Sequence, residues 1–190
     1  MADVMRLYHT GFAVIPSPDL LRGRKNADFG QGFYLTDDVA FSRRWARQRS
    51  CEVTYLNSYE LDCRGLRVKE FSRDEAWFDY IFRNRRGETD ALAGYDVIMG
   101  PIANDTIYDT WGITTSGFLP REQALRLLSI GPEYRQIVVK SPAAAARLRF
   151  LGAEALTAEA IARYRETVAR EEQQFQAEFA ALLAEMNEDP

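Results

Sequence analysis

The sequence has few of the residues that organise a metal site or a disulfide framework. It contains a single histidine, His9, and only two cysteines, Cys51 and Cys63. A structural zinc site takes about four Cys or His ligands, and disulfide-stabilised domains are much richer in cysteine. We therefore expect neither a metal nor a disulfide framework in this chain.

Long apolar runs and the usual nucleotide motifs are also missing. No apolar stretch approaches the roughly 18 residues that a membrane-spanning helix requires. The N-terminal stretch MADVMRLYHT lacks the basic and then apolar order of a secretory signal. The sequence contains neither a GxGxxG fingerprint nor a Walker loop. These absences favour a soluble cytoplasmic protein with no membrane partner.

What is present divides the chain into two parts of different charge. The length of 190 residues and the hydrophobic content of 46% suit one domain with an appendage. Residues 152–190 carry nine acids against three arginines, a net charge of −6. Since the whole chain is −4, the first 151 residues are +2. We predict a domain over residues 1–151 and an acidic C-terminal helix over residues 152–190.

The C-terminal part has the apolar spacing of one long helix. Its apolar residues recur at steps of three and four and form one stripe. They are Ile161, Tyr164, Val168, Phe175, Phe179, Leu182 and Met186. One interpretation is that the stripe, over about residues 157–186, packs along its own domain or a second copy of the chain. The other is that it docks a partner protein, such as an inhibitor or antitoxin.

Short strands mixed with helices over residues 1–151 indicate an α+β fold rather than a doubly wound sheet. The patterns predict strands over residues 5–8 (an edge strand), 53–61, 65–71, 95–99, 136–140 and 147–151, and a turn-rich loop that ends at the apolar residues 33–35. They predict helices after Asp37-Asp38, over residues 73–85, 104–110 and 120–128, and after the N-cap Ser141. Ser72 and Glu75 have capping-box spacing. The basic cluster over residues 83–86 is typical of a solvated helix end, with contact to a nucleic acid as the alternative.

Three stretches stand out for chemistry: LYHTG, DFGQGFYLTDD and QIVV. His9 follows a strand and precedes small residues, so a ligand can approach the backbone there. In the second stretch Gly30 and Gly32 turn the chain sharply before the pair Phe33-Tyr34. The structural alternative is a tight loop feeding a core strand, with Tyr34 as a hydrogen-bonded core residue.

In this order the three stretches resemble the motifs of ADP-ribosyltransferases of the diphtheria-toxin and poly(ADP-ribose)-polymerase type. More narrowly, LYHTG, DFGQGFYLTDD and GPIANDTIYDT resemble a bacterial family of poorly known function within that superfamily, whose members often occur in operons of toxin–antitoxin character. The resemblance covers about residues 5–150. It implies an ADP-ribosyltransferase-like split β-sandwich with flanking helices, to which the long C-terminal helix is added, and it implies NAD as the substrate.

The resemblance also implies how the nicotinamide end of NAD is held. The amide pairs with the backbone of Thr10 or Gly11, and Tyr34 stacks on one face of the ring. Ser42 contacts the amide through its hydroxyl, and Trp45 closes the stack on the other side. Because aromatic faces attract cations, this arrangement suits oxidised rather than reduced nicotinamide.

The rest of the expected NAD site lies in the same motifs and the loops beside them. The resemblance implies that His9 binds the adenosine ribose, that Phe33 belongs to the binding segment, and that Arg22 or Arg24 pairs with the pyrophosphate. Asn104, with Asp105 beside it, is either a helix cap or a contact to the NAD ribose.

Gln136 departs from the motif of the superfamily, which usually carries glutamate there to steady the oxocarbenium-like charge. The resemblance to the narrower family implies an amide at this place, so that Gln136, His9 and Tyr34 form a catalytic His-Tyr-Gln set. The expected activity is mono-ADP-ribosylation of a macromolecular acceptor, protein or nucleic acid, by a toxin of a toxin–antitoxin pair. The alternative is a module of the same fold that binds NAD or ADP-ribose without turnover.

Overall fold

The computed structural model describes residues 3–49, 52–103, 121–131 and 133–188. Its elements are, in chain order, β1 (Val4–Gly11), a 3₁₀ helix (Leu20–Arg22), β2 (Phe33–Leu35), α1 (Val39–Arg44), β3 (Tyr55–Asp62), β4 (Val68–Glu70), α2 (Glu75–Arg85), β5 (Val97–Pro101), α3 (Arg121–Leu128), β6 (Arg135–Val139), α4 (Pro142–Ala146), β7 (Leu148–Ala155) and α5 (Ala158–Glu188). This mixture confirms the α+β class. The helix predicted over residues 104–110 lies outside the described residues.

The strands form two sheets. One has three antiparallel strands in the order β1-β3-β7, and β1 lies at its edge, as predicted. The other has four strands in the order β2-β6-β5-β4, in which only the β4–β5 pair is parallel. The two sheets share one core, because a single cluster contains Leu7 and Tyr59 of the first sheet and Leu35 and Ile137 of the second.

The four-stranded sheet is buried on both of its faces. Side chains of a strand alternate between faces. In β5, Val97 and Met99 therefore belong to the core between the sheets, whereas Ile98 packs against the opposite cluster, which includes Trp77 and Ile81 of α2. This explains why β5 and β6 are nearly continuous apolar runs in the sequence.

Two predicted boundaries are wrong in instructive ways. β1 continues to Gly11, since it pairs with β3 along its whole length, so His9 lies inside the strand. The N-cap of α2 is Asp74 rather than Ser72. Asp74 has an extended backbone, and its carboxylate accepts a hydrogen bond of 2.9 Å from the backbone N–H of Trp77, so the first turn begins at Glu75. At α4, the predicted cap Ser141 is confirmed.

The long helix α5 packs on its own domain. Near its start, Ile161 is buried with Leu56 and Leu156. Further along, Phe175 and Phe179 pack against the cluster that contains α2. Within the described part of the stripe, Ile161 is buried and the residues from Tyr164 to Leu182 are half-buried. Glu171 of α5 forms an ion pair with Arg44 of α1, so one acid of the helix also faces the body of the chain. Among the described residues, no helix has both the length and the apolar character needed to cross a bilayer.

Candidate functional site

The three motif segments meet at Thr36, directly after β2. Tyr8 and Thr36 exchange backbone hydrogen bonds of 2.8 and 3.1 Å, which join the edge of the three-stranded sheet to the end of β2. The hydroxyl of Thr36 donates to the backbone carbonyl of Arg135 at 2.8 Å, at the start of β6. One short polar residue thus links the strand of His9, the strand of Tyr34 and the strand of Gln136.

A cavity of about 450 Å³ opens where these strands meet. Its volume falls within the usual range of small-molecule sites. Its walls are formed by Tyr8, His9, Thr10, Arg24, Asn26, Ala27, Asp28, Tyr34, Leu35, Thr36, Phe41, Ser42, Trp45, Arg85, Ile102, Ala103 and Gln136. We refer to this cavity as the cleft. Residues from all three motifs line it.

His9 enters the cleft as a neutral hydrogen-bond acceptor. Its Nδ1 lies 2.9 Å from the carbonyl oxygen of Tyr34 and must donate to it, because a carbonyl can only accept. Burial lowers the pKa of His9, and this hydrogen bond opposes that effect only in part. In the neutral ring with a proton on Nδ1, Nε2 is an acceptor. Phe33 supports the ring from the core, with the ring centres 4.8 Å apart.

The turn before β2 is built to present Tyr34. Gly30 has a positive φ of 74°, which a side chain would disfavour. A Cβ on Gly32 would lie 2.7 Å from the carbonyl oxygen of Val139, so only glycine allows the turn to approach β6. The Tyr34 hydroxyl donates to the carbonyl of Gly30 at 2.7 Å and accepts from the N–H of Phe29 at 3.0 Å. Both bonds fix the tyrosine against its own turn.

Ser42, Thr10 and Trp45 form a second side of the cleft. Asp38 caps α1 by accepting from the N–H groups of Ala40 and Phe41, which sets the direction of the helix. Ser42 is buried on this helix, and its hydroxyl lies 3.0 Å from that of Thr10. Trp45 follows the helix and is 53% exposed at the mouth of the cleft.

Gln136 takes part in a buried polar network. Its Nε2 donates to Oδ2 of Asp28 at 3.1 Å and to the carbonyl of Pro101 at 3.3 Å. The other oxygen of the Asp28 carboxylate, Oδ1, lies 2.6 Å from the guanidinium of Arg85. Asn84 donates to the backbone carbonyl of Asp28 at 3.0 Å. The network links β6, α2 and the segment before the glycine turn.

Seven of the residues that the sequence proposes for the NAD site lie on the walls of the cleft: His9, Thr10, Arg24, Tyr34, Ser42, Trp45 and Gln136. Three do not line it. Gly11 lies beside His9, where an added Cβ would be 3.2 Å from Nε2. Arg22 is exposed on the 3₁₀ helix, and Phe33 is buried between the sheets because it alternates with Tyr34 along β2. Asn104 and Asp105 lie outside the described residues.

The sequence interpretation missed the polar partners of Gln136. Arg85 belongs to the basic cluster interpreted as a solvated helix end, but its side chain is only 14% exposed and is paired with Asp28. Asn84 is buried. The turn-facing side of α2 could have been found from the helical spacing of Trp77, Ile81 and Asn84, but nothing in the sequence pairs α2 with Asp28. Within the described residues, no cluster of three or more potential metal ligands occurs.

Comparison with known proteins gives one match. The model of a family described as a protein of unknown function (DUF3990) matches residues 5–150, which is more than half of the chain and includes every residue that lines the cleft. The match ends before α5. No curated protein and no solved structure matches the chain.

Proposed function

The chain belongs to the DUF3990 family, and from the cleft we propose that it is a mono-ADP-ribosyltransferase that uses NAD to modify a macromolecular acceptor. The observation that carries the proposal is the meeting of His9, Tyr34 and Gln136 at one cleft, from three separate strands. This is the arrangement that the resemblance to ADP-ribosyltransferases implies. The finer fold name, an ADP-ribosyltransferase-like split β-sandwich, belongs to the same proposal.

The cleft offers suitable groups for each part of NAD. Tyr34 and Trp45 supply aromatic faces for the cationic nicotinamide ring. His9 supplies a neutral Nε2 acceptor for a ribose hydroxyl, and Arg24 supplies a positive charge at the mouth for the pyrophosphate. Thr10 and Ser42 supply hydroxyls for the amide of the nicotinamide, and their mutual hydrogen bond of 3.0 Å keeps both near one place.

The reaction is a dissociative transfer. The bond between the nicotinamide nitrogen and C1′ of the ribose breaks, and its electron pair stays on nicotinamide. The resulting ribosyl cation resembles the oxocarbenium species of glycoside hydrolysis. Gln136 steadies it by accepting a hydrogen bond from the ribose hydroxyl. A nucleophile of the acceptor then bonds to C1′ and releases its proton to solvent.

Labelled NAD, incubated with the protein and a bacterial lysate, tests this proposal. We expect label on a macromolecule, and a loss of about 10²–10³ in rate in Gln136→Ala, by analogy with removal of one transition-state hydrogen bond. Tyr164→Ala is a matched control, because Tyr164 lies on α5 and packs against the body of the chain outside the cleft. Thermal melting of each variant separates loss of activity from loss of folding.

A second candidate function is an NAD-binding or ADP-ribose-binding module without turnover. It is favoured by the amide at Gln136, which brings no negative charge of its own to the transition state. Calorimetric titration separates the two functions: saturable binding of NAD with no label transferred to any acceptor supports the module. Absence of NAD and ADP-ribose binding by the folded protein contradicts both.

A further inference from the structure

We infer that Asp28 is a positioning residue for Gln136. It fixes the orientation of the amide, and through its hydrogen bond to the amide it supplies the negative charge that Gln136 itself lacks. The inference rests on the proposed function and adds a residue to its site. The juxtaposition that carries it is a carboxylate and an amide, both buried and both on the cleft wall, joined by a hydrogen bond of 3.1 Å.

The orientation argument begins with the partners of the amide nitrogen. Nε2 of Gln136 faces two acceptors, Oδ2 of Asp28 and the carbonyl oxygen of Pro101. Neither a carboxylate nor a carbonyl can donate, so a flipped amide would place Oε1 against two oxygens and lose both hydrogen bonds. Among the described residues, no group donates to Oε1. The amide oxygen is therefore left as the atom that can accept from a ribose hydroxyl.

The charge argument concerns the carboxylate itself. Oδ1 of Asp28 is paired with Arg85 at 2.6 Å, and Oδ2 is left to Gln136. A hydrogen bond to a charged acceptor is stronger than a neutral one, and it polarises the amide so that Oε1 carries more negative charge. Because the pair is buried, salt screens this effect little.

The backbone of Asp28 is fixed as well as its side chain. Asn84 of α2 donates to its carbonyl at 3.0 Å, and the next residue, Phe29, donates through its N–H to the Tyr34 hydroxyl. Asp28 thus precedes the turn that presents Tyr34 and at the same time orients Gln136. One residue couples the two walls between which the nicotinamide ribose would bind.

The role of Asp28 is tested by removing its negative charge and then restoring a negative charge at residue 136. In Asp28→Asn we expect kcat for NAD turnover to fall about tenfold or more, with KM for NAD changed less than about threefold. In the double variant Asp28→Asn with Gln136→Glu, the carboxylate stands at residue 136, and the amide introduced at residue 28 can donate to it, while the hydrogen bond to the carbonyl of Pro101 is lost. We expect kcat to recover at least tenfold over Asp28→Asn.

A pH profile gives a further readout. Gln136→Glu alone places two carboxylates within hydrogen-bond distance, and like charges this close raise the pKa of one of them. The two groups then share a proton, and its loss leaves an ionised carboxylate at residue 136 that can stabilise the ribosyl cation, so the activity of this variant should rise as pH rises through that raised pKa. The double variant, with one carboxylate, should not show this rise.

Asp90→Asn serves as the control for a purely structural acid. Asp90 pairs with Lys140 at 2.6 Å and accepts from Tyr80 at 2.7 Å, outside the cleft. The Asp90→Asn variant should have a lower free energy of unfolding, and kcat of the folded protein should change by no more than about twofold. If Asp28→Asn keeps kcat within threefold of the wild type, or if Gln136→Glu fails to rescue it, the inference is overturned while the proposed function stands.

The amide orientation is also measurable without turnover, which separates the inference from the proposed function. In NMR spectra of the wild type, the side-chain NH₂ of Gln136 should exchange slowly with water, and this protection should be lost in Asp28→Ala. An unprotected amide in the wild type overturns the inference even if NAD is turned over. If the wild type does not bind NAD, the proposed function fails and the orientation is still decided by the exchange rate.

Discussion

The cleft has two regions that differ in how their polar groups are satisfied. The inner wall consists of Asp28 and Gln136, which are buried, and Tyr34 and Arg85, which are half-buried. Each of these side chains has a hydrogen-bond or ion-pair partner inside the protein. The exposed rim consists of Arg24, Asn26 and Trp45, which face solvent at the mouth. Both regions line the same cavity, but among the described residues of the two regions only the side chains of the wall are held by hydrogen bonds and ion pairs within the protein.

This difference indicates that the wall and the rim have different roles in binding and turnover. A group whose orientation is fixed in advance loses no freedom when the ligand binds, and fixed dipoles act most strongly at the transition state. Rim groups must be ordered on binding, so part of their interaction energy is lost to entropy. We therefore expect wall substitutions to change stability and turnover, and rim substitutions to change NAD affinity alone.

The largest expected effect comes from Arg85→Ala, which leaves the buried carboxylate of Asp28 without its counter-ion. Removal of one partner of a buried ion pair costs about 3 kcal/mol or more. The free energy of unfolding, measured with urea, should fall by about this amount. Arg83→Ala on the same helix is the control, because its ion pair with Glu88 is exposed and worth less than about 1 kcal/mol. Equal losses in the two variants would remove the distinction between wall and surface.

Tyr34→Phe should have the next largest effect. The ring is kept, but the carbonyl of Gly30 and the N–H of Phe29 lose their partner, at a cost of about 1–3 kcal/mol in the free energy of unfolding. NAD affinity should change less than about threefold, because the stacking face remains. Tyr164→Phe, outside the cleft, should change stability by less than about 0.5 kcal/mol. A loss of NAD affinity without loss of stability would indicate that the Tyr34 hydroxyl contacts the ligand and not the turn.

His9 is half-buried and lines the cleft, and it gives a pH dependence. Its pKa in the folded protein is below the ordinary value of 6.5. Between the two values the unfolded chain binds more protons than the folded one, so stability is full above about pH 6.5 and falls as pH decreases towards the folded pKa. NAD affinity should be constant above pH 6.5 and fall once His9 gains a proton, because Nε2 then no longer accepts.

Calorimetric titration with NAD at several pH values checks this, with His9→Gln as the control. The chain has one histidine, so few other groups titrate between about pH 5 and 8. The variant should show a flat affinity over that range. An affinity that rises on acidification of the wild type contradicts a neutral acceptor at this position.

The residues of the cleft also differ from one another in how far the sequence predicts them. The residues that line the cleft from β1, β2 and α1 follow from local patterns: a strand, a double-glycine turn and an acid-capped helix. Asp28 and Arg85 lie 57 positions apart, and no local pattern pairs them. Their contact depends on how α2 packs across the four-stranded sheet, which is a tertiary property. For the same reason the sequence predicts α5 as an amphipathic helix but leaves open what its apolar stripe contacts.

The smallest expected effect is that of Trp45→Ala at the rim. Trp45 is 53% exposed and meets Phe41 edge-on, with ring centres 6.0 Å apart, so little packing is lost and stability should change by less than about 0.5 kcal/mol. An exposed cation–π contact is worth about 0.5–1 kcal/mol, so NAD affinity should fall about two- to fivefold. Affinity for NADH, whose reduced ring carries no positive charge, should not change. Equal losses for NAD and NADH would show that Trp45 contacts another part of the dinucleotide, and the rim would then act through general packing rather than through the charge of the ring.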